Sequence, residues 1–349
     1  MPVASDNPIS YPHADAALGE KLFPDEAALA EQLADTIEKT IREQYQPGNA
    51  RRDVHAKATG FLKAEFRVHE TLPDNLARGV FVPGKIYQAW IRFSNGSANA
   101  AESDNHQDGR GMAIKLLNVP GEKILESDRH ATTQDFVMIN HPVFFTNDPQ
   151  SYLSLLQKAG SSNLLAKMTI PFALGLKGTA LAMEIHHGKI SNPLQTRYFS
   201  ASPYQWGVGP DRQVIKFSVV PVSAAVDPMP DNPGPDYLRE AMQATLQKST
   251  VGMKFLVQPK IVDNMSVEDS TTEWQEAEAP FHEVATIHIP QQDFDTPEQN
   301  ALGENLSFTP WHALPEHRPL GSLNRIRKIV YERVSLVRHA MNSLERREP

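Results

Sequence analysis

His55 stands in the segment RRDVHAKATG, just ahead of an apolar run. An imidazole titrates near neutrality and can exchange a proton with a bound oxygen species, although a lone histidine in such a place is usually structural or exposed. Near the other end, RIRKIVYER sets Arg327 four residues before Tyr331 in a basic stretch. On a helix the two share a face. Taken alone, the pair reads as a solvated arginine face beside a packed tyrosine. The chain has no cysteine, which excludes disulfides and thiolate chemistry; any iron ligand would have to be His, Tyr, Met or a carboxylate.

The elements that must position these residues follow from periodicity. Residues 25 to 45 form a helix, with Leu29, Leu33, Ile37 and Ile41 on one face and Pro47-Gly48 as its stop. Short apolar segments follow: Phe61 to Val68, Ile86 to Phe93, Met112 to Leu117 and Asp135 to Met138 read as strands. A closed antiparallel sheet suits such a series, because separate sheets would leave several edges to protect. Asp148-Pro149 opens a helix with Tyr152, Leu153 and Leu156 on its packing face. Strands return at Val214 to Val222, Met253 to Val257 and Val284 to Ile289, with a helix over Tyr237 to Leu246 between the first two. The stretch Leu320 to Glu345 reads as a long amphipathic helix. The fold class is therefore α+β.

Composition bounds the setting. The 349 residues, 40% of them apolar, supply a sizeable core, and a net charge of −8 argues against nucleic-acid binding or attraction to anionic lipid. Residues 1–24 lack the basic start and apolar core of a signal peptide and read as an irregular arm, so the cytoplasm is the expected location. The most apolar stretch, Leu164 to Ile185, is interrupted by Lys167, Pro171, Lys177 and Glu184. It reads as a buried or partner-facing helical pair broken near Pro171, not as a membrane span.

Set in this frame, the chain resembles the haem catalases and their shorter bacterial relatives, the catalase-related peroxidases. Arg52 and the run His55-Ala56-Lys57 match the family's distal segment; Arg92-Phe93-Ser94, GRGMAIK with Arg110, and INHPVFFTNDP follow in family order. Arg327 and Tyr331 match the arginine and proximal tyrosine, Arg338 stands seven residues later where the family has another arginine, and FTPWHALP resembles the stretch before the proximal helix. The resemblance covers about residues 45 to 345.

The resemblance implies a catalase-like antiparallel β-barrel with surrounding helices, a single domain over 25–349 with a helical insertion at about 149–190 and a proximal haem helix at about 320–345. It implies haem b as cofactor, Tyr331 as the iron ligand kept anionic by Arg327, and His55 as the distal acid–base group. Arg52, Arg92 and Arg338 would neutralise the propionates; Val54, Phe144, Phe145 and Tyr152 would lie near the haem, and Arg110 would brace the sheet. Catalases carry two consecutive asparagines in the fourth segment, and the first binds peroxide; here Ile139 takes that place and Asn140 the second. Asn140 is expected as a catalytic group if the backbone shifts by one residue, whereas in a regular strand it points away from Ile139. Tyr198, Tyr204 and Trp206 would line an entrance channel or pack in the core.

The activity implied is haem-dependent reduction of hydrogen peroxide or organic hydroperoxides, with a small organic reductant. A true catalase and a non-enzymatic haem-binding protein are the alternatives. Lacking the large catalases' wrapping segment, the chain is expected to form a small homo-oligomer, a dimer.

Overall fold

A computed structural model describes residues 9–159 and 170–349. Nine strands form one antiparallel sheet: β1 (Ala58–Val68), β2 (Ile86–Asn95), β3 (Arg110–Leu117), β4 (Thr133–Ile139), β5 (Tyr198–Phe199), β6 (Tyr204–Trp206), β7 (Gln213–Pro221), β8 (Val251–Pro259) and β9 (His282–Ile289). Strand β1 pairs with both β2 and β9, and the two-residue β5 bridges β4 to β7. Eight strands thus close a ring, and β6 hangs on the edge of β7. Closure removes the exposed edges that an open sheet would have to protect. The seven strands read from periodicity all lie in this ring. The short β5 and β6 escape such a reading because two or three residues carry no period.

The barrel is filled by its own side chains. Phe66, Phe81, Phe136, Phe217 and Phe255 meet with ring centroids 4.9–6.2 Å apart, in stacked, edge-on and tilted arrangements. Trp206 and His317 close one end against Phe81. Tyr198, Tyr204 and Trp206 are all buried in this core. The Tyr198 hydroxyl donates to Pro193 O and Trp206 Nε1 to Leu76 O, which places these rings in the core, the second of the two expected settings.

Among the described residues, six helices surround the barrel: α1 (Glu26–Gln44), α2 (Pro149–Ala159), α3 (Ile170–His187), α4 (Tyr237–Leu246), α5 (Pro297–Asn305) and α6 (Ser322–Met341). The expected break near Pro171 appears four residues later, at the non-helical Gly175 with φ 67°. The 164–169 part of that stretch lies outside the described residues. Helix α5 has no apolar stripe and was invisible to periodicity, although Thr296 caps it by accepting from Gln299 N. Among the described residues, no helix is long and apolar enough to cross a membrane.

Helix α1 packs along α6, with Leu33 and Ala34 against Ile326 and Ile329, and Ile37 and Ile41 against Val337. The register of α6 is pinned by Arg325, fully buried and bonded to Glu20 at 2.8 Å, Glu26 at 2.7 Å and Glu268 at 3.0 Å. Three carboxylates satisfy the planar fork of one guanidinium. Glu26, a first-turn residue of α1, is therefore an anchor for α6 and not a solvated charge.

Candidate active site

Strands β2, β3 and β4 have two faces, and the outer one is a cavity wall. Register sets Arg92 beside Ala113 and Ala113 beside Val137; the next row is Ser94, Gly111 and Ile139. Residues of one row lie on one face, since side chains alternate along a strand. The small Ala113 and Gly111 in the middle strand leave room above the sheet. A cavity of about 230 Å³ fills that room, enclosed by these rows, by residues 52–55 and 307–309, by Pro149 and Tyr152 of α2, and by the inward face of α6.

His55 lies on the barrel wall. Its backbone is left-handed at φ 56°, its N–H donates to Gly96 O at 3.1 Å, and its Nδ1 is 3.0 Å from Ser94 Oγ. The ring lies so close to Gly111 that a Cβ there would stand 2.6 Å from Nδ1. Burial, reinforced by Arg92 and Arg327, pushes the imidazole down to about 4. At neutral pH it is an uncharged base.

On the helical wall, Arg327 Nη2 donates to Tyr331 Oη at 3.0 Å, and Arg327 Nη1 donates to Asn324 Oδ1 at 3.1 Å. Burial acts to lower the Arg327 guanidinium, but the Tyr331 and Tyr204 hydroxyls outweigh it and hold the group above its ordinary value. The single histidine of α6, His339, is tied through Nδ1 to Ser335 O and through Nε2 to Asn305 O. It does not reach the cavity.

At one end of the cavity, three guanidiniums converge. Arg52 pairs with Glu304 at 3.0 Å, Arg92 Nη2 donates to His55 O at 2.9 Å, and Arg338 donates to Glu304 O and to Ser307 Oγ. Arg92 Nε is buried without a partner. Burial and then Arg52 push Arg92 well below its ordinary value and Arg338 down to about 9. The half-buried Glu304 thus stands beside these three cations, with the more exposed Arg51 3.3 Å from its second oxygen, a balance that a guest with two negative groups would complete.

Of the residues singled out in the sequence, Arg52, Val54, His55, Arg92, Phe144, Tyr152, Arg327, Tyr331 and Arg338 all line this one cavity. Phe145 does not; it sits behind Phe144 with ring centroids 4.2 Å apart. Asn140 is also not brought to the cavity. Ile139 ends β4 with its side chain in the Ser94–Gly111 row, so Asn140 turns away, and its Oδ1 accepts from Arg110 N at 2.7 Å. Arg110 is buried and donates to Asp104 O and His106 O, bracing a loop.

Four residues escaped the sequence reading of the site. Ser94, two positions after Arg92, could have been found from strand alternation, and Gly111 from being a glycine inside a strand. Asp53 lines the cavity with its carboxyl raised to about 6 by burial. Glu304 had no signal, because it comes from α5.

A profile of the catalase family matches residues 25–169. The catalase-related peroxidase of Mycolicibacterium paratuberculosis is 25% identical over 300 residues, covering 82% of this chain and 88% of that protein. Among solved structures, catalase A from Saccharomyces cerevisiae superposes with a TM-score of 0.63 at 19% identity over 95% of this chain, and a fungal catalase with 0.63 at 17% over 95%. The chain spans 66% and 64% of the length of those two. The eight-stranded ring and these likenesses lead to one conclusion: residues 25–169 match the catalase family, and the chain has the catalase fold.

Proposed function

We propose that the cavity holds haem b and that the chain is a catalase-related peroxidase, reducing hydrogen peroxide or organic hydroperoxides with a small organic donor. The observation that carries this reading is the gathering of Arg52, Arg92 and Arg338 at one end of a cavity lined by His55 and Tyr331, where Glu304 pairs with Arg52. Two propionates would meet that surplus of positive charge. Apolar walls from Val54, Val137, Ile139 and Phe144 suit a flat macrocycle and exclude water.

The haem would supply a redox-active ferric iron, held by the Tyr331 phenolate. Arg327 donates to that phenolic oxygen at 3.0 Å and so fixes its position. His55, neutral at working pH, takes the proton from one peroxide oxygen at Nε2 and returns it to the other as it leaves as water or alcohol. Ser94 accepts from Nδ1–H, which keeps the Nε2 lone pair turned to the cavity. Ile139 offers no hydrogen bond where catalases place an asparagine amide, and this favours an alkyl hydroperoxide over efficient dismutation of hydrogen peroxide.

An ultraviolet–visible spectrum of the haem-loaded protein tests cofactor and ligand together. A high-spin ferric phenolate spectrum is expected, lost in Tyr331→Phe; an unchanged spectrum in that variant would sink the assignment. Oxygen evolution from hydrogen peroxide, compared with alcohol formation from an alkyl hydroperoxide, separates catalase from peroxidase chemistry.

A further inference from the structure

Outside the cavity, three metal-ligating side chains meet. Asp128 lies ahead of β4, His312 lies ahead of α6, and Glu348 lies in the C-terminal tail; one ligand atom from each falls within 4.8 Å of the others. His312 Nδ1 stands 3.5 Å from Glu348 Oε2 and 3.9 Å from Asp128 Oδ2. None of the three lines the cavity between β2–β4 and α6.

Two buried atoms here are without partners. His312 is fully buried, and its Nδ1 makes no hydrogen bond; Glu348 Oε1, on a side chain 6% exposed, makes none either. Buried polar atoms are almost always satisfied, so two orphans in one place need a cause. Thr133 fixes the tautomer. Its hydroxyl donates to Glu348 Oε2 at 2.9 Å, so at 2.9 Å from His312 Nε2 it accepts, and Nε2 carries the proton. Nδ1 is left as a bare lone pair turned toward two carboxylates, an arrangement that repels unless a cation lies between.

The local charges agree. Lys115 bonds Asp135 and Glu348 Oε2, and Arg346 bonds Asp128 and Glu332. Lys115 and Arg346 are the cations bonded to Asp128, Asp135, Glu332 and Glu348, and Lys123 acts on His312 from farther off, so the bonded carboxylates outnumber the bonded cations by two, a difference a divalent ion supplies.

We propose that Asp128, His312 and Glu348 form a second metal site, separate from the cavity, for a divalent first-row ion of the zinc class. An imidazole with two carboxylates suits zinc, whereas magnesium and calcium prefer oxygen alone. Tetrahedral zinc with bonds of about 2.0–2.1 Å spaces its ligands by roughly 3.3 Å, close to the separations from Nδ1. Asp128, 14% exposed, leaves a path for the ion and for a water ligand. The ion would staple the tail to the barrel, and Arg346 of the same tail lines the cavity, so it would also hold that wall in place.

The test uses the full chain, stripped with a chelator and titrated with zinc by equilibrium dialysis. One zinc per chain is expected, with Glu348→Gln and Asp128→Asn each weakening binding by at least about tenfold and the exposed Glu122→Gln leaving it unchanged. Absorption at the zinc edge should show one imidazole among oxygen ligands, and zinc should slow amide exchange over residues 343–349. No zinc retained by the wild type, or equal uptake by Glu348→Gln and Asp128→Asn, would overturn the site and leave a buried hydrogen-bonded cluster only.

Discussion

The inside and the outside of the barrel are built from the same three strands and behave in opposite ways. Inward, Ile91, Phe93, Met112, Ile114, Phe136 and Met138 pack into a core with no charge. Outward, at the alternate positions, stand Arg92, Ser94, Gly111, Ala113, Val137 and Ile139, facing the cavity. One set holds the fold and the other lines the cavity. The pleat keeps them apart, so a change in one row should leave the other nearly untouched.

That separation can be broken first at its strongest points. His55→Ala should slow the reaction with peroxide by about 10²–10⁴-fold, the contribution of a positioned acid–base group, in a stopped-flow assay of the haem-loaded protein. Its unfolding midpoint in urea should hardly move. Phe136→Ala should do the reverse, costing about 3–5 kcal/mol of stability in urea while the peroxide rate of the folded fraction persists. If Phe136→Ala slowed the reaction as much as His55→Ala, the two faces would not be independent.

The same contrast explains what could be read from the sequence. The inward rows were legible because burial forces an apolar residue at every second position, and α1 and α6 because their stripes recur at helical spacing. The cavity residues carry no such period; His55, Arg327 and Tyr331 became interpretable only as pieces of a family pattern. Where that pattern failed, strand geometry decided. Asn140 follows the last residue of β4, and the alternation that places Ile139 beside Gly111 turns Asn140 to Arg110 N. Glu304 and the cluster around Glu348 were out of reach because their partners are brought together only by the chain's return over hundreds of residues.

Gly111 is where the two faces touch most closely, since its missing Cβ is the floor under His55. Gly111→Ala would place a methyl 2.6 Å from Nδ1 and 2.8 Å from Ser94 Oγ. The ring must shift, and a displacement of that order should slow peroxide reaction by roughly ten- to a hundredfold. Stability should change far less than in Phe136→Ala. The pH profile gives a finer measure. His55 is pushed down to about 4 by burial and by Arg92 and Arg327, so the neutral base persists well below the usual histidine range and is lost only as pH falls through the lowered value. Haem propionates beside Arg92, as proposed, would offset part of that charge and move the acid limb upward. A limb at or above about 6.5, the ordinary histidine value, would show that the cavity does not perturb His55.

The smallest change is the most specific. Ile139 occupies the outward row, so Ile139→Asn puts an amide into the cavity without touching the inward row. A single added hydrogen bond to a bound peroxide contributes about 0.5–1.5 kcal/mol, which corresponds to a gain of roughly two- to tenfold in the rate with hydrogen peroxide. The same polar group in an apolar wall should weaken the reaction with an alkyl hydroperoxide. The ratio of the two rates therefore carries the prediction, because a general loss of folding or of haem would lower both. A ratio unmoved by Ile139→Asn would mean that the wall at this row does not choose the substrate.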